Sequence, residues 1–266
     1  MIRFLLLILF IAVSGSAQAG VTVVGNLARH ATVKPGETFE GVILLKNTDA
    51  QPAEARAFQT DYLSYADGRN LYGEPGTAPR SNAGWITVTP TRVKLEAGET
   101  VPVRYKGRAP LDPKLSGTFW SLIMIEPSAA SVPTPQGSET KIAYGLQTVI
   151  RFGVQIATEL GSDATRSLRV MEKKIVKEDG KRSLHLAVEN NGERLLIPSV
   201  GIELFDHRGA SVGRFEGGKT RIYPSCSVCS KVNLGTVAPG KYTAMVLLDS
   251  GDDQVMGAQY ELAIEP

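Results

Sequence analysis

The feature that most restricts this chain is its grammar of short apolar or alternating runs, each cut off by turn residues. Residues 42–45, 85–88, 101–105 and 119–125 have strand length, and Lys34-Pro35-Gly36, Ala97-Gly98 and Pro110-Leu111-Asp112-Pro113 punctuate them. The grammar restarts after residue 165. Residues 168–176, 183–189, 200–205, 219–223, 228–234, 242–248 and 258–264 alternate with turns such as Glu178-Asp179-Gly180-Lys181, Asp206-His207-Arg208-Gly209 and Ala238-Pro239-Gly240. No window carries a 3.6-residue apolar period framed by a capping box and a stop glycine, so helices are expected to be minor.

About seven or eight strands in about 100 residues is the count of an immunoglobulin-like sandwich. The expected fold is therefore all-β, with two tandem immunoglobulin-like β-sandwich domains. The first covers residues 20–157, a small and polar linker covers 158–165, and the second covers 166–266. A chain of 266 residues is long enough for each half to bury a core of its own.

Residues 1–19 read as a secretory signal peptide. Arg3 precedes the apolar run 4–13, which is too short to span a membrane, and Ala17-Gln18-Ala19 fits the small-residue cleavage rule. Gly20, rather than a lipid-bearing Cys, would head the mature chain. In an oxidising compartment a disulfide between Cys226 and Cys229 is allowed, and two structural thiols are the alternative.

Lys and Arg total 29 against 27 Asp and Glu, with no basic block, so nothing points to nucleic acid. No G-x-S-x-G, H-E-x-x-H or P-loop occurs, and His30, His185 and His207 lack metal-ligand spacing. A non-enzyme without cofactor, metal or nucleotide is expected. Asp249, Asp252 and Asp253 read as a hairpin turn rather than a calcium loop.

Residues 128–140 form a Ser/Ala/Pro/Gly-rich loop, and the longest strand candidate, 141–156, follows it directly. Along its first half Ile142, Tyr144 and Leu146 share one face. Two roles are open to them: facing their own core, or being offered to a partner. Tyr62, Tyr65, Tyr72 and Trp85 flank a Gly/Pro/Asn-rich insertion and either pin it down or stack on a partner.

Pro35-Gly36-Glu37-Thr38 leading to Leu45 and Asn47, Thr89-Pro90 followed by 95–100, Phe119-Trp120 running to Glu126-Pro127, and then Leu146-Gln147-Thr148-Val149-Ile150-Arg151-Phe152 occur in one order. In that order the chain resembles the periplasmic (PapD-like) chaperones of chaperone/usher fimbriae, as a divergent member, over about residues 21–156. The resemblance implies a periplasmic chaperone in fimbrium biogenesis and cell wall organization. Such a protein binds an extended strand or C-terminus of a secreted or pilin-like subunit by β-strand addition, with an outer-membrane usher as a further partner. It implies Ile142, Tyr144 and Leu146 as strand-donor residues, and Arg151 with Arg29 as the grip on a terminal carboxylate. Ser116 and Gln155 stand where the family's interdomain carboxylate and arginine are expected. The alternative reading is an immunoglobulin-like adhesion or cell-envelope scaffold module that makes its contacts through the insertion of residues 62–82.

Overall fold

The computed structural model describes residues 20–128, 149–178, 180–251 and 255–265. These form seventeen strands and, besides them, one short 3₁₀ turn, Ala83–Trp85. The first ten are β1 (Val21–Val24), β2 (Ala28–Thr32), β3 (Thr38–Asn47), β4 (Ala53–Ser64), β5 (Asn70–Gly73), β6 (Ile86–Thr89), β7 (Arg92–Leu95), β8 (Thr100–Arg108), β9 (Gly117–Pro127) and β10 (Phe152–Leu160). They build two facing sheets, one ordered β1-β3-β8-β6 and the other β2-β10-β9-β4-β5, with β7 also on β4. The remaining seven are β11 (Leu168–Glu178), β12 (Lys181–Asn190), β13 (Ser199–Phe205), β14 (Ser211–Lys219), β15 (Ser227–Gly235), β16 (Gly240–Asp249) and β17 (Val255–Ile264). They form sheets β11-β12-β15 and β14-β13-β16-β17. The fold is all-β: two β-sandwiches in tandem.

Strict alternation builds each core. On β3 Phe39, Ile43 and Leu45 turn inward against Val103, Ile123 and Ile156, while Val42 and Leu44 stay exposed. Asn47 ends that strand fully buried. Its side-chain amide donates to the carbonyls of Gln51, Leu95 and Glu96, so a polar group in the core has its partners. In the second sandwich Leu184, Leu186, Ile202, Leu204 and Val246 make the equivalent cluster.

Strand β9 departs from alternation because both of its faces are covered. Ile123 and Ile125 belong to the core of the first sandwich, whereas Trp120 belongs to the apolar cluster of the second, together with Ala157 opposite it on β10. Burial on both sides explains why 119–125 reads as an almost continuous apolar run.

Four boundaries differ from expectation, the first being that β10 begins only at Phe152, so that residues 149–151 of the long strand candidate precede it. Residues 158–160 are the end of β10, because Thr158, Glu159 and Leu160 stay in register with Phe119, Thr118 and Gly117, so the connection to the second sandwich begins at Gly161. Residues 219–223 are not a strand: β14 ends at Lys219, and only an isolated bridge, Leu196 to Ile222, follows. Trp85 closes the 3₁₀ turn that precedes β6 rather than opening the strand.

Candidate functional site

Register fixes which side chains share the face of the β2-β10-β9-β4 sheet that turns toward the second sandwich. Gln155, Ala157 and Glu159 of β10 lie on it, paired with Leu122, Trp120 and Thr118 of β9. Trp120 stacks on Tyr223, and Tyr223 donates its hydroxyl to Gln155 Oε1 at 3.0 Å. Burial pushes the Tyr223 phenol up from its ordinary value. Toward the far end of the same face come Met124 beside Phe58, and then Glu126 between Arg56 and Arg151.

Among the described residues β10 is incompletely paired. β9 covers one edge from Phe152 onward, but on the other edge β2 begins only at Ala28, opposite Gln155, whose N–H donates to Leu27 O at 2.8 Å. Backbone polar groups two residues apart in a strand point the same way. The N–H and C=O of Gly153 therefore point to the edge where no described strand pairs. Gly153 is also closely roofed, since a Cβ there would lie 3.2 Å from Leu122 and 3.3 Å from Met124.

Of the residues singled out from sequence, Ile142, Tyr144 and Leu146 lie outside the described residues, as does the signal segment 1–19. Arg151 sits just before β10 and pairs with Glu126 at 2.5 Å, its side chain 60% exposed. Arg29 lies opposite Ile156, on the face turned to the first core, and acts electrostatically on the Tyr105 hydroxyl of the other sheet. The structure thus does not bring Arg29 and Arg151 together: adjacent β2 residues face opposite ways, and the register contains no bulge that would turn Arg29 over. The neighbour on the cleft-facing side is His30, 3.7 Å from Glu159.

Cys226 and Cys229 are both free, so the allowed disulfide is absent. Cys226 is buried in the second core while Cys229, three residues along β15, is exposed, which turns the two thiols apart. Burial raises the Cys226 thiol pKa, opposed by hydrogen bonding to Ser64.

The insertion between β4 and β6 is fastened rather than free. Asp61, buried at the end of β4, accepts hydrogen bonds from the N–H groups of Gly76 and Ala78 and from the hydroxyl of Ser81. Asn82, fully buried, donates to Phe119 O, Ile156 O and Thr158 Oγ1 and accepts from Ser121. Tyr62 packs on Tyr72, with ring centroids 5.4 Å apart, and Trp85 packs on Phe119 at 4.9 Å. Tied down in this way, the insertion reaches the second sandwich: Ala66 N–H donates to Ser227 Oγ, and Arg80 bridges Ser116 O and Glu193 Oε1, both at 2.9 Å.

A buried ion pair completes the junction. Glu159, 8% exposed, faces Arg194 at 2.5 Å and accepts from Thr118 Oγ1 at 2.8 Å, and Thr118 Oγ1 in turn accepts from Leu195 N–H. Thr118 N–H donates to Glu193 O at 2.8 Å. None of these contacts was foreseen from the sequence. Their only signal was negative: Ser116 and Gln155 carry no charge where a direct ion pair between domains was expected.

No family model matches the chain, and no curated protein matches it. Solved structures do. A chain of the chaperone–tip adhesin complex of CFA/I fimbriae biogenesis matches at 14% identity, over 93% of this chain and 100% of that one, with a TM-score of 0.47. The class 5 fimbriae chaperone CfaA matches at 13% identity over 90% and 98%, with a TM-score of 0.47. The CsuC–CsuE chaperone–tip adhesion subunit pre-assembly complex from the archaic chaperone-usher Csu pili of Acinetobacter baumannii matches at 14% identity over 90% and 98%, with a TM-score of 0.42.

Proposed function

We propose that the chain is a periplasmic chaperone of the chaperone/usher kind, holding a pilin-like subunit by adding an extended segment of that subunit to β10. The supporting observation is the rung at Gly153, whose N–H and C=O lie on an edge that no described strand covers, next to Arg151. Strand addition satisfies such groups, and apolar side chains seated in the partner supply the rest of the affinity. In this reading Ile142, Tyr144 and Leu146 are those side chains, Arg151 meets the bound segment, and an outer-membrane usher receives the loaded subunit. The adhesion or scaffold alternative has less behind it, because Asp61 and Asn82 fasten the insertion to its own sandwich and Arg80 ties it to the junction.

The test is photo-crosslinking in the periplasm. A benzophenone amino acid at Ile150, which is 58% exposed beside the open edge, is expected to yield an adduct with a secreted subunit identified by mass spectrometry. The same group at Lys219, on the far sandwich, yields none. Leu146→Asp is expected to abolish the adduct while the chain stays folded, because it puts an unpaired charge into an apolar interface. No adduct from Ile150, or equal adducts from both sites, would overturn the proposal.

A further inference from the structure

At the outer end of the cleft-facing sheet a groove of about 840 Å³ runs between β7, β4, β9 and the chain leading into β10. Its charged lining is Arg56, Arg92, Lys94 and Arg151 against Glu54 and Glu126, an excess of two positive charges. The whole chain carries a formal net charge of only +2. The excess is also locally unfavourable. Arg56 and Arg92 are directly opposite in the β4–β7 register, and like charges so placed repel. One carboxylate, Glu126, serves both Arg56, at 2.6 Å, and Arg151, at 2.5 Å, and Arg92 has no ion-pair partner among the described residues.

We propose that this groove is a binding site for carboxylate side chains of an acidic peptide segment. The planar donor fork of arginine matches a carboxylate with two parallel hydrogen bonds, and Glu126 already shows the groove accommodating one. An incoming acidic side chain meets Arg92, which no described carboxylate pairs, and shares Arg56 and Arg151 with Glu126. A peptide fits better than a flat anionic surface, because the cations line a groove between extended strands, one side of which, Val149 and Arg151, belongs to the chain that enters β10 just before Gly153. The inference deepens the client-binding reading and rests on it for the identity of the partner: a segment with acidic residues flanking the part that adds to β10.

The experiment measures fluorescence anisotropy of the full chain with two labelled decapeptides of alternating Val and Thr, one ending in three Glu and the other in three Gln. The Glu peptide is expected to bind about tenfold more tightly, with an advantage that salt removes. Arg92→Glu should abolish that advantage and at the same time raise thermal stability, because it replaces a repulsive cross-strand pair with an attractive one. Unfolding therefore cannot mimic the result. Equal affinities for the two peptides, an advantage that survives Arg92→Glu, or binding to phosphatidylglycerol vesicles without binding to the Glu peptide would each overturn the proposal. Replacing Gly153 by Pro separates the two readings. Loss of binding for both peptides supports edge addition, whereas a Glu preference that persists unchanged leaves the groove standing and removes the edge.

Discussion

Trp120 of the first sandwich and Tyr223 of the second stack with ring centroids 4.8 Å apart and planes 19° from parallel, and the Trp120 indole N–H donates to Tyr62 O at 2.9 Å. One side chain thus joins β9, the insertion and the second core. Trp120→Ala is expected to cost about 3–5 kcal/mol. It should also split chemical unfolding into two transitions, one for each sandwich; a single transition with unchanged midpoint would show that the stack does not couple them.

The junction allows no side chain at position 117. Gly117 has φ +91°, and a methyl group there would run into the Glu193 carbonyl that accepts from Thr118 N–H. Gly117→Ala combines backbone strain with a clash and is expected to cost about 2–3 kcal/mol. A crystal structure or small-angle scattering of the variant should show a changed angle between the sandwiches.

Glu193 gives the junction a dependence on acid. Its carboxyl is held below the ordinary glutamate value, chiefly by the Thr165 N–H, against the opposing effect of burial, with the Arg80 guanidinium adding to the lowering. A depressed folded-state pKa means stability that is present above the unfolded value of about 4.3 and is lost as pH falls through the lower, folded one. Between pH 6 and pH 3 wild type should therefore lose more stability than Glu193→Gln, by a modest margin because the side chain is 43% exposed. Parallel denaturation midpoints across that range would contradict this.

The cysteines differ in access. Under native conditions one thiol, Cys229, should react with a disulfide reagent, and the second, Cys226, only on unfolding. Two fast-reacting thiols, or none before reduction, would contradict the free and unequal pair.

Within each sandwich the alternation of β3 and the turns at Gly180 and Gly209 were legible, because burial of one face imposes a period of two on the sequence. The open edge of β10 was not, since it depends on where β2 starts, and a five-residue strand holding Arg29 and His30 has little apolar pattern. The junction was invisible for another reason. Trp120 in an apolar run reads as core, and only the register of β9 against β10 shows that it faces away from Ile123 and toward Tyr223. Likewise Arg56 and Arg92 look like ordinary solvated strand cations until the β4–β7 pairing sets them side by side.

Amide exchange at Gly153 tests the account most directly. Nuclear magnetic resonance would follow that single N–H in the free chain and in the complex captured from the periplasm. The account predicts fast exchange in the free chain and strong protection in the complex, with the Gln155 amide, already bonded to Leu27 O, protected in both. A Gly153 amide that exchanges equally fast with the client bound would contradict strand addition to β10.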